Sequence, residues 1–188
     1  LHAGPGFGGS CFGKDTAALI NIGEKAGYSM KIAQATKQVN DEQRNRMVDK
    51  IRGALVDLKG KTIGMLGLSF KPNTDDIRDS PALGIAEQLI KDGCTVRAYD
   101  PEALAESLKV LPKLVPCRDA YHTVEGTDAV VLVTEWNQFR NLDFDQVKAK
   151  VKTPIFIDLR NVYDAQRMQQ QGFYYVSVGR KTVGTRPS

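Results

Sequence analysis

Apolar residues recur through the first third of the chain at three- and four-residue steps, and after Gly60 they change to short continuous runs. The first regime predicts helices. Residues 14–26 carry helix-compatible spacing and stop at Gly27, a residue suited to the left-handed turn that closes a helix. Ile32, Ala35, Val39, Met47, Ile51, Ala54, Leu55 and Leu58 then line one face, with charged and amide side chains on the other. That spacing predicts one amphipathic helix, or two in sequence, of about 25 residues. The second regime predicts strands at 62–70, 95–100, 129–134, 155–159 and 174–178. Between them helices are expected over 80–91, near Ala120, over 144–151 and over 165–171. Ser80 before Pro81 is a good helix start: the hydroxyl accepts from a free amide, and Pro has no amide to lose in the first turn. Strands alternating with helices imply a parallel sheet covered by helices, so the fold class is α/β with a helical N-terminal segment.

Composition narrows the function classes. With 41% apolar and 26% charged residues in a chain of 188, disorder, collagen and coiled coil are excluded as the main reading. The net charge of +4 is spread along the chain. It suits a diphosphate partner better than nucleic acid, which calls for a clustered basic stripe. Cys11, Cys94 and Cys117 are odd in number and lack C-x-x-C spacing or neighbouring histidines, so neither a metal site nor a disulfide framework is expected. A reducing, cytoplasmic setting fits such cysteine usage. No apolar run approaches the roughly 20 residues of a membrane helix, and no secretion signal stands out. The chain opens at Leu1 with a glycine-rich stretch and no strand before it, so a piece of a longer protein is expected.

The opening loop holds two phosphate-binding look-alikes. Gly4, Gly6 and Gly9 spell G-x-G-x-x-G, and residues 8–15 nearly spell a phosphate-loop signature. Both mechanisms need a preceding strand to aim the loop, and the second needs Ser or Thr on magnesium where Asp15 stands. Cys11 is more informative. It precedes an expected helix start, with Lys14 three residues on, so helix amides and a cation can favour its thiolate. A buried structural thiol is the competing reading, and it holds more strongly for Cys94 and Cys117.

Four strings bear on identity: Gly4-Pro5-Gly6-Phe7-Gly8-Gly9-Ser10-Cys11-Phe12-Gly13-Lys14-Asp15, Gly67-Leu68-Ser69-Phe70-Lys71-Pro72-Asn73-Thr74-Asp75-Asp76-Ile77-Arg78, Thr134-Glu135-Trp136-Asn137 and Asp158-Leu159-Arg160-Asn161-Val162-Tyr163-Asp164. Together, and in order, they resemble the NAD-dependent nucleotide-sugar 6-dehydrogenases over nearly the whole chain. Ser10, Phe12 and Lys14 depart from the G-G-H-C-I-P-V-D pattern of the N-acetylated-sugar branch. Gly6-Phe7-Gly8 and Phe70-Lys71-Pro72-Asn73-Thr74 depart from the GDP-mannose patterns, so the likeness is nearer to the UDP-glucose branch. Gly13 stands where that family commonly has Pro.

The resemblance implies that residues 1–59 hold the cysteine loop and a helical, dimer-forming central region. Residues 60–180 would form a Rossmann-like UDP-sugar-binding domain, and 181–188 a polar tail. It implies oxidation of UDP-glucose to UDP-glucuronate by two successive hydride transfers to NAD. Cys11 would be the nucleophile, through a thiohemiacetal and a thioester, and Asp15 the carboxylate that assists and hydrolyses. Phe7 and Gly8 would lie beside the sugar, Phe70 on the uridine side, and Lys71 and Arg160 on phosphate or sugar hydroxyls.

Read without the resemblance, Asp15 is a first-turn acid, Lys71 a solvated charge, Phe70 core packing and Arg160 a surface ion pair. A turn and salt-bridge network explains Asp75, Asp76 and Arg78 equally well. Lys14 and Arg78 are the only candidate cofactor contacts. Trp136 reads as packing, and His2 and His122 as without function. Because the family's NAD domain lies upstream of the glycine loop, this chain alone is expected neither to bind NAD nor to turn over. A homodimer through the helical region is expected. The competing readings are a stand-alone UDP-sugar-binding or dimerisation module, a GDP-mannose or other nucleotide-sugar dehydrogenase fragment, and a phosphate-loop nucleotidase.

Overall fold

The computed structural model describes residues 3–187; His2, discussed above, lies outside them. Helix α1 spans Phe12–Lys25 and α2 spans Lys31–Leu55. At 25 residues, α2 is about 37 Å long. Its two halves have different surroundings. Met47, Val48, Ile51 and Ala54 are buried in the core over the sheet, whereas Ile32 and Val39 are 85% and 52% exposed. The apolar spacing marked both halves alike, but only the second half meets the sheet, and the first carries α1 and the glycine loop.

The rest of the chain alternates as expected. Strands β1 (Thr62–Leu66), β2 (Thr95–Tyr99), β3 (Val115–Pro116), β4 (Ala129–Leu132), β5 (Ile155–Asp158) and β6 (Tyr174–Ser177) form one sheet in the order β3-β2-β1-β4-β5-β6. Every pairing is parallel. The inner strands β4 and β5 are buried throughout, which is why they read as unbroken apolar runs. Helices α3 (Pro81–Lys91) and the second half of α2 cover one face. Helices α5 (Ala120–Val124), α6 (Asn137–Arg140), α7 (Phe144–Lys150) and α8 (Ala165–Gln170) cover the other, with an aromatic core of Phe144, Phe156, Tyr163 and Phe173. Ser80 caps α3 as expected, accepting from the Ala82 amide.

Three elements were not anticipated: α4 (Leu104–Val110), β3 and α6. All are short. β3 has two residues, one a proline, on the sheet edge where a missing donor costs nothing. Strand β1 also ends earlier than its apolar run, because the Leu68 and Ser69 amides turn to a side chain instead of a neighbouring strand. After β6, Val183 pairs antiparallel with Tyr175, and the Arg186 guanidinium donates to the Gly53 and Ala54 carbonyls at the end of α2. That is favourable placement for a cation. Among the described residues no helix is long and apolar enough to cross a membrane.

Candidate functional site: a cavity between the glycine loop and the strand ends

In a doubly wound sheet of this order the chain reverses direction between β1 and β4, and ligands lodge at the carboxyl ends of those strands. A dinucleotide-binding sheet places there a glycine-rich turn running straight into a helix, and an acid at the end of β2 for a ribose hydroxyl. Neither feature is free here. The segment after β1 runs through Leu68, Ser69, Phe70 and Lys71, and α3 starts only at Pro81. Asp100, just past β2, is 2% exposed. One of its carboxylate oxygens accepts from the Leu68 and Ser69 amides at 2.7 and 3.0 Å, from the Ser69 hydroxyl and from the Trp136 indole. The other accepts from the Glu102 and Ala103 amides. Asp100 therefore fixes the path of the chain into Phe70 and Lys71 instead of facing a ligand. Trp136, expected as packing, is buried and completes this network.

Asp158 does the same for the loop after β5. Fully buried, it accepts from the amides of Arg160, Val162 and Tyr163 and from the Tyr175 hydroxyl. Burial first, then the Asp158 charge, push the Tyr163 and Tyr175 phenols well above their usual range. Arg160 emerges from this loop to meet Glu135, beyond β4, in a two-point ion pair. Burial raises the Glu135 carboxyl, but the hydrogen bonds and charge of Arg160 outweigh it and hold Glu135 below the usual carboxylate range.

The glycine loop closes over these strand ends. The Gly9 amide donates to the Arg78 carbonyl at 2.8 Å. Gly9 has φ +86°, and a side chain there would strike the Phe70 ring, since a Cβ would sit 2.7 Å from it. A Cβ on Gly4 would stand 2.9 Å from Arg160 Nη1. Between loop and strand ends lies a cavity of about 870 Å³ whose lining includes Phe7, Gly8, Phe70, Lys71 and Arg160. All five candidate binding residues thus share one cavity, with two cations at its wall. Phe70 sits partly under Gly9, and Lys71 Nζ lies 5.2 Å from the centre of its ring.

Cys11 and Asp15 do not line that cavity. Cys11 is exposed at the residue before α1, with its Sγ 3.6 Å from Ser10 Oγ. Asp15 lies in the first turn, and its carboxylate faces Lys14 at 3.7 Å. Arg78 is gripped through two nitrogens by Asp76, the salt-bridge arrangement weighed above. Asp76 chiefly, and Cys11 to a smaller extent, favour the charged guanidinium of Arg78. His122 lies in α5, where its amide donates to the side chain of Asp119 at the helix start. Among the described residues no group of three His, Cys, Asp or Glu is placed to hold a metal.

Three positions that shape the strand ends and the loop escaped the sequence reading. Glu135 follows β4 just as Arg160 follows β5, so the same strand-end reasoning applied to it would have found the pair. Asp100 had the position of a ribose acid but not its role. Asn40, which also lines the cavity, reads as one more polar residue on a helix surface.

The UDP-binding domain of the UDP-glucose/GDP-mannose dehydrogenase family matches residues 64–165, and the central domain of that family matches residues 1–42. A UDP-glucose 6-dehydrogenase of Rhizobium meliloti (strain 1021) is 45% identical over 181 residues, which is 96% of this chain and 41% of that protein. UDP-glucose 6-dehydrogenase TuaD of Bacillus subtilis (strain 168) is 44% identical over 190 residues, covering 100% of this chain and again 41% of the relative. A solved UDP-glucose dehydrogenase from the archaeon Pyrobaculum islandicum aligns with a TM-score of 0.80 at 33% identity, over 94% of this chain and 38% of that one. The chain thus spans about two fifths of the relatives it matches. With both domain matches in order along the sequence, the chain belongs to the UDP-glucose/GDP-mannose dehydrogenase family.

Proposed function

We propose that this chain is the UDP-sugar-binding and cysteine-bearing part of an NAD-dependent dehydrogenase that converts UDP-glucose to UDP-glucuronate. The observation that carries this reading is the single cavity shared by Phe7, Gly8, Phe70, Lys71 and Arg160. Lys71 supplies positive charge for a diphosphate, and Arg160, paired through Nε and Nη2 with Glu135, keeps further guanidinium N–H groups to donate to phosphate. The turn after β1 lacks the features that hold NAD, because Asp100 is engaged by main-chain amides and the segment after β1 reaches helix α3 only at Pro81. The two oxidations therefore need an acceptor held by other residues. Within the chain, the Cys11 thiolate captures the sugar at the aldehyde level and holds it at the carboxylate level as a thioester. Asp15 takes a proton from the water that releases it.

The apolar side chains exposed on α1, α2 and the turn between them, among them Ile22, Ile32 and Tyr28, support a homodimer through this helical face. Sedimentation of the chain tests that point. The three free thiols suit a cytoplasmic setting. A second reading, a UDP-sugar-binding module without catalysis, is favoured by one observation: Cys11 and Asp15 stand outside the cavity. Joining the chain to the remaining part of its relatives separates the two. With UDP-glucose and NAD, the Asp15→Asn protein is expected to accumulate a sugar-nucleotide adduct, seen by intact mass, that Cys11→Ala abolishes. UDP-glucuronate formation at the normal rate by Cys11→Ala removes the covalent mechanism.

A further inference from the structure

Asn40 lies on α2 beneath the glycine loop, and its amide is spent entirely on one residue of that loop. Its Oδ1 accepts from the Phe7 amide at 2.7 Å, and its Nδ2 donates to the Phe7 carbonyl at 3.2 Å. The side chain thus pairs with both main-chain groups of Phe7 as a neighbouring strand would. One helical turn on, Gln43 Nε2 donates to the Gly4 carbonyl at 2.8 Å. These contacts come from a rigid support, because the far half of α2 is built into the core of the sheet. Asn40 also borders a second cavity of about 270 Å³ on the other side of the loop, so the clasp stands in the wall between two open spaces. The Phe7 ring packs edge-on against Phe12, with centroids 4.6 Å apart, and its backbone is held by Asn40.

We propose that Asn40 is a positioning residue of this site. Its amide fixes the Phe7 and Gly8 edge of the cavity and, through the loop, the segment that carries Cys11, with Gln43 holding the loop at Gly4. The two hydrogen bonds that Asn40 makes both go to the Phe7 main chain, so Asn40 acts on a ligand by fixing the loop. The identity of that ligand rests on the function proposed above; the clasp itself does not.

Two variants test it. Asn40→Ala removes both hydrogen bonds. Asn40→Asp keeps an acceptor for the Phe7 amide but sets a carboxylate against the Phe7 carbonyl at neutral pH, and protonation of that carboxyl restores the donor. At pH 7.5, hydrogen exchange of the Phe7 amide is expected to speed up about tenfold or more in both variants. UDP-glucose affinity, measured by calorimetry, is expected to fall about tenfold. Thermal melting should change little, since Asn40 is only half-buried. As pH falls to about 4, the ordinary aspartate value, the Asn40→Asp protein should regain part of its exchange protection factor and affinity, and Asn40→Ala should not. Unchanged Phe7 exchange in Asn40→Ala overturns the proposal, as does UDP-glucose affinity that stays at the wild-type value, or identical pH behaviour of the two variants. If the wild-type chain binds no UDP-glucose, the proposed function falls; faster Phe7 exchange with acid recovery in Asn40→Asp then still upholds the clasp, and unchanged exchange removes it.

Discussion

The guanidinium of Arg160 and the carboxylate of Glu135 face each other across the ends of β5 and β4, with side chains 22% and 21% exposed. Each holds the other, and Arg160 stands at the wall of the cavity. Removing one partner leaves the other half-buried and unpaired. Arg160→Ala is therefore expected to destabilise the fold by about 1 to 3 kcal/mol, and the double variant with Glu135→Ala to recover part of that loss. Urea unfolding of the single and double variants measures the coupling. Strictly additive losses contradict a paired site.

Acid should unfold the protein by way of Glu135 and Asp128. Asp128 is 4% exposed. Its burial raises the carboxyl, but the Thr62 amide and then Lys152 and Lys61, at 3.1 and 3.7 Å, outweigh burial and hold it low. A carboxyl lowered by folding contributes stability that is present above its unfolded value, here 3.8 for Asp128 and 4.5 for Glu135. That stability is lost as pH falls through the folded value. Asp128→Asn should flatten the acid limb of a stability profile between pH 5 and about pH 3, and an unchanged limb rules Asp128 out as its source.

The three thiols should separate cleanly. Cys11 is exposed, whereas Cys94 and Cys117 are 7% and 3% exposed. Burial first, then Asp92, Asp128 and Asp57, push the Cys94 thiol up to about 11, and it donates to the Leu58 carbonyl at 3.2 Å. Iodoacetamide at pH 7.5 is expected to label Cys11 alone in the native protein, and all three after unfolding. Peptide mapping reads the sites, and native labelling of Cys94 contradicts its burial.

Asp100→Ala strands buried amides at Leu68, Ser69 and Ala103 without an acceptor. A loss of about 3 to 5 kcal/mol is expected, the cost of breaking a buried charged network from one side. Ser69→Ala removes one donor of that set and should cost about 1 kcal/mol. Denaturant midpoints of the two variants check the order, and equal effects contradict the central place of Asp100.

Much of this architecture is legible in the sequence. Continuous apolar runs at residues 129–134 and 155–159 marked strands buried on both faces, and Ser80-Pro81 marked a helix start, because both signals are local. Lys71 and Arg160 could be singled out as cations near strand ends, and the cavity then brought them together. What stayed hidden depends on the partner more than on the residue. Asn40 matters through Phe7, 33 positions away, and Asp100 through Leu68, 32 positions away. Nothing in the periodicity of α2 distinguishes Asn40 from the surface amides around it. Edge strand β3 and the short helix α6 carry too few residues for a period to show.

The cavity is tested most directly by calorimetry of the chain with UDP-glucose, beside Lys71→Ala and Arg160→Ala checked for folding. Wild type is expected to bind with a Kd between micromolar and millimolar, about 4 to 8 kcal/mol. Each variant should bind about 10- to 100-fold more weakly, roughly 1.5 to 3 kcal/mol for a charged hydrogen bond, and the loss should shrink as salt rises. NAD should give no heat. UDP-glucose affinity that is the same in wild type and both variants, or NAD bound in the micromolar range, contradicts a nucleotide-sugar site at these strand ends.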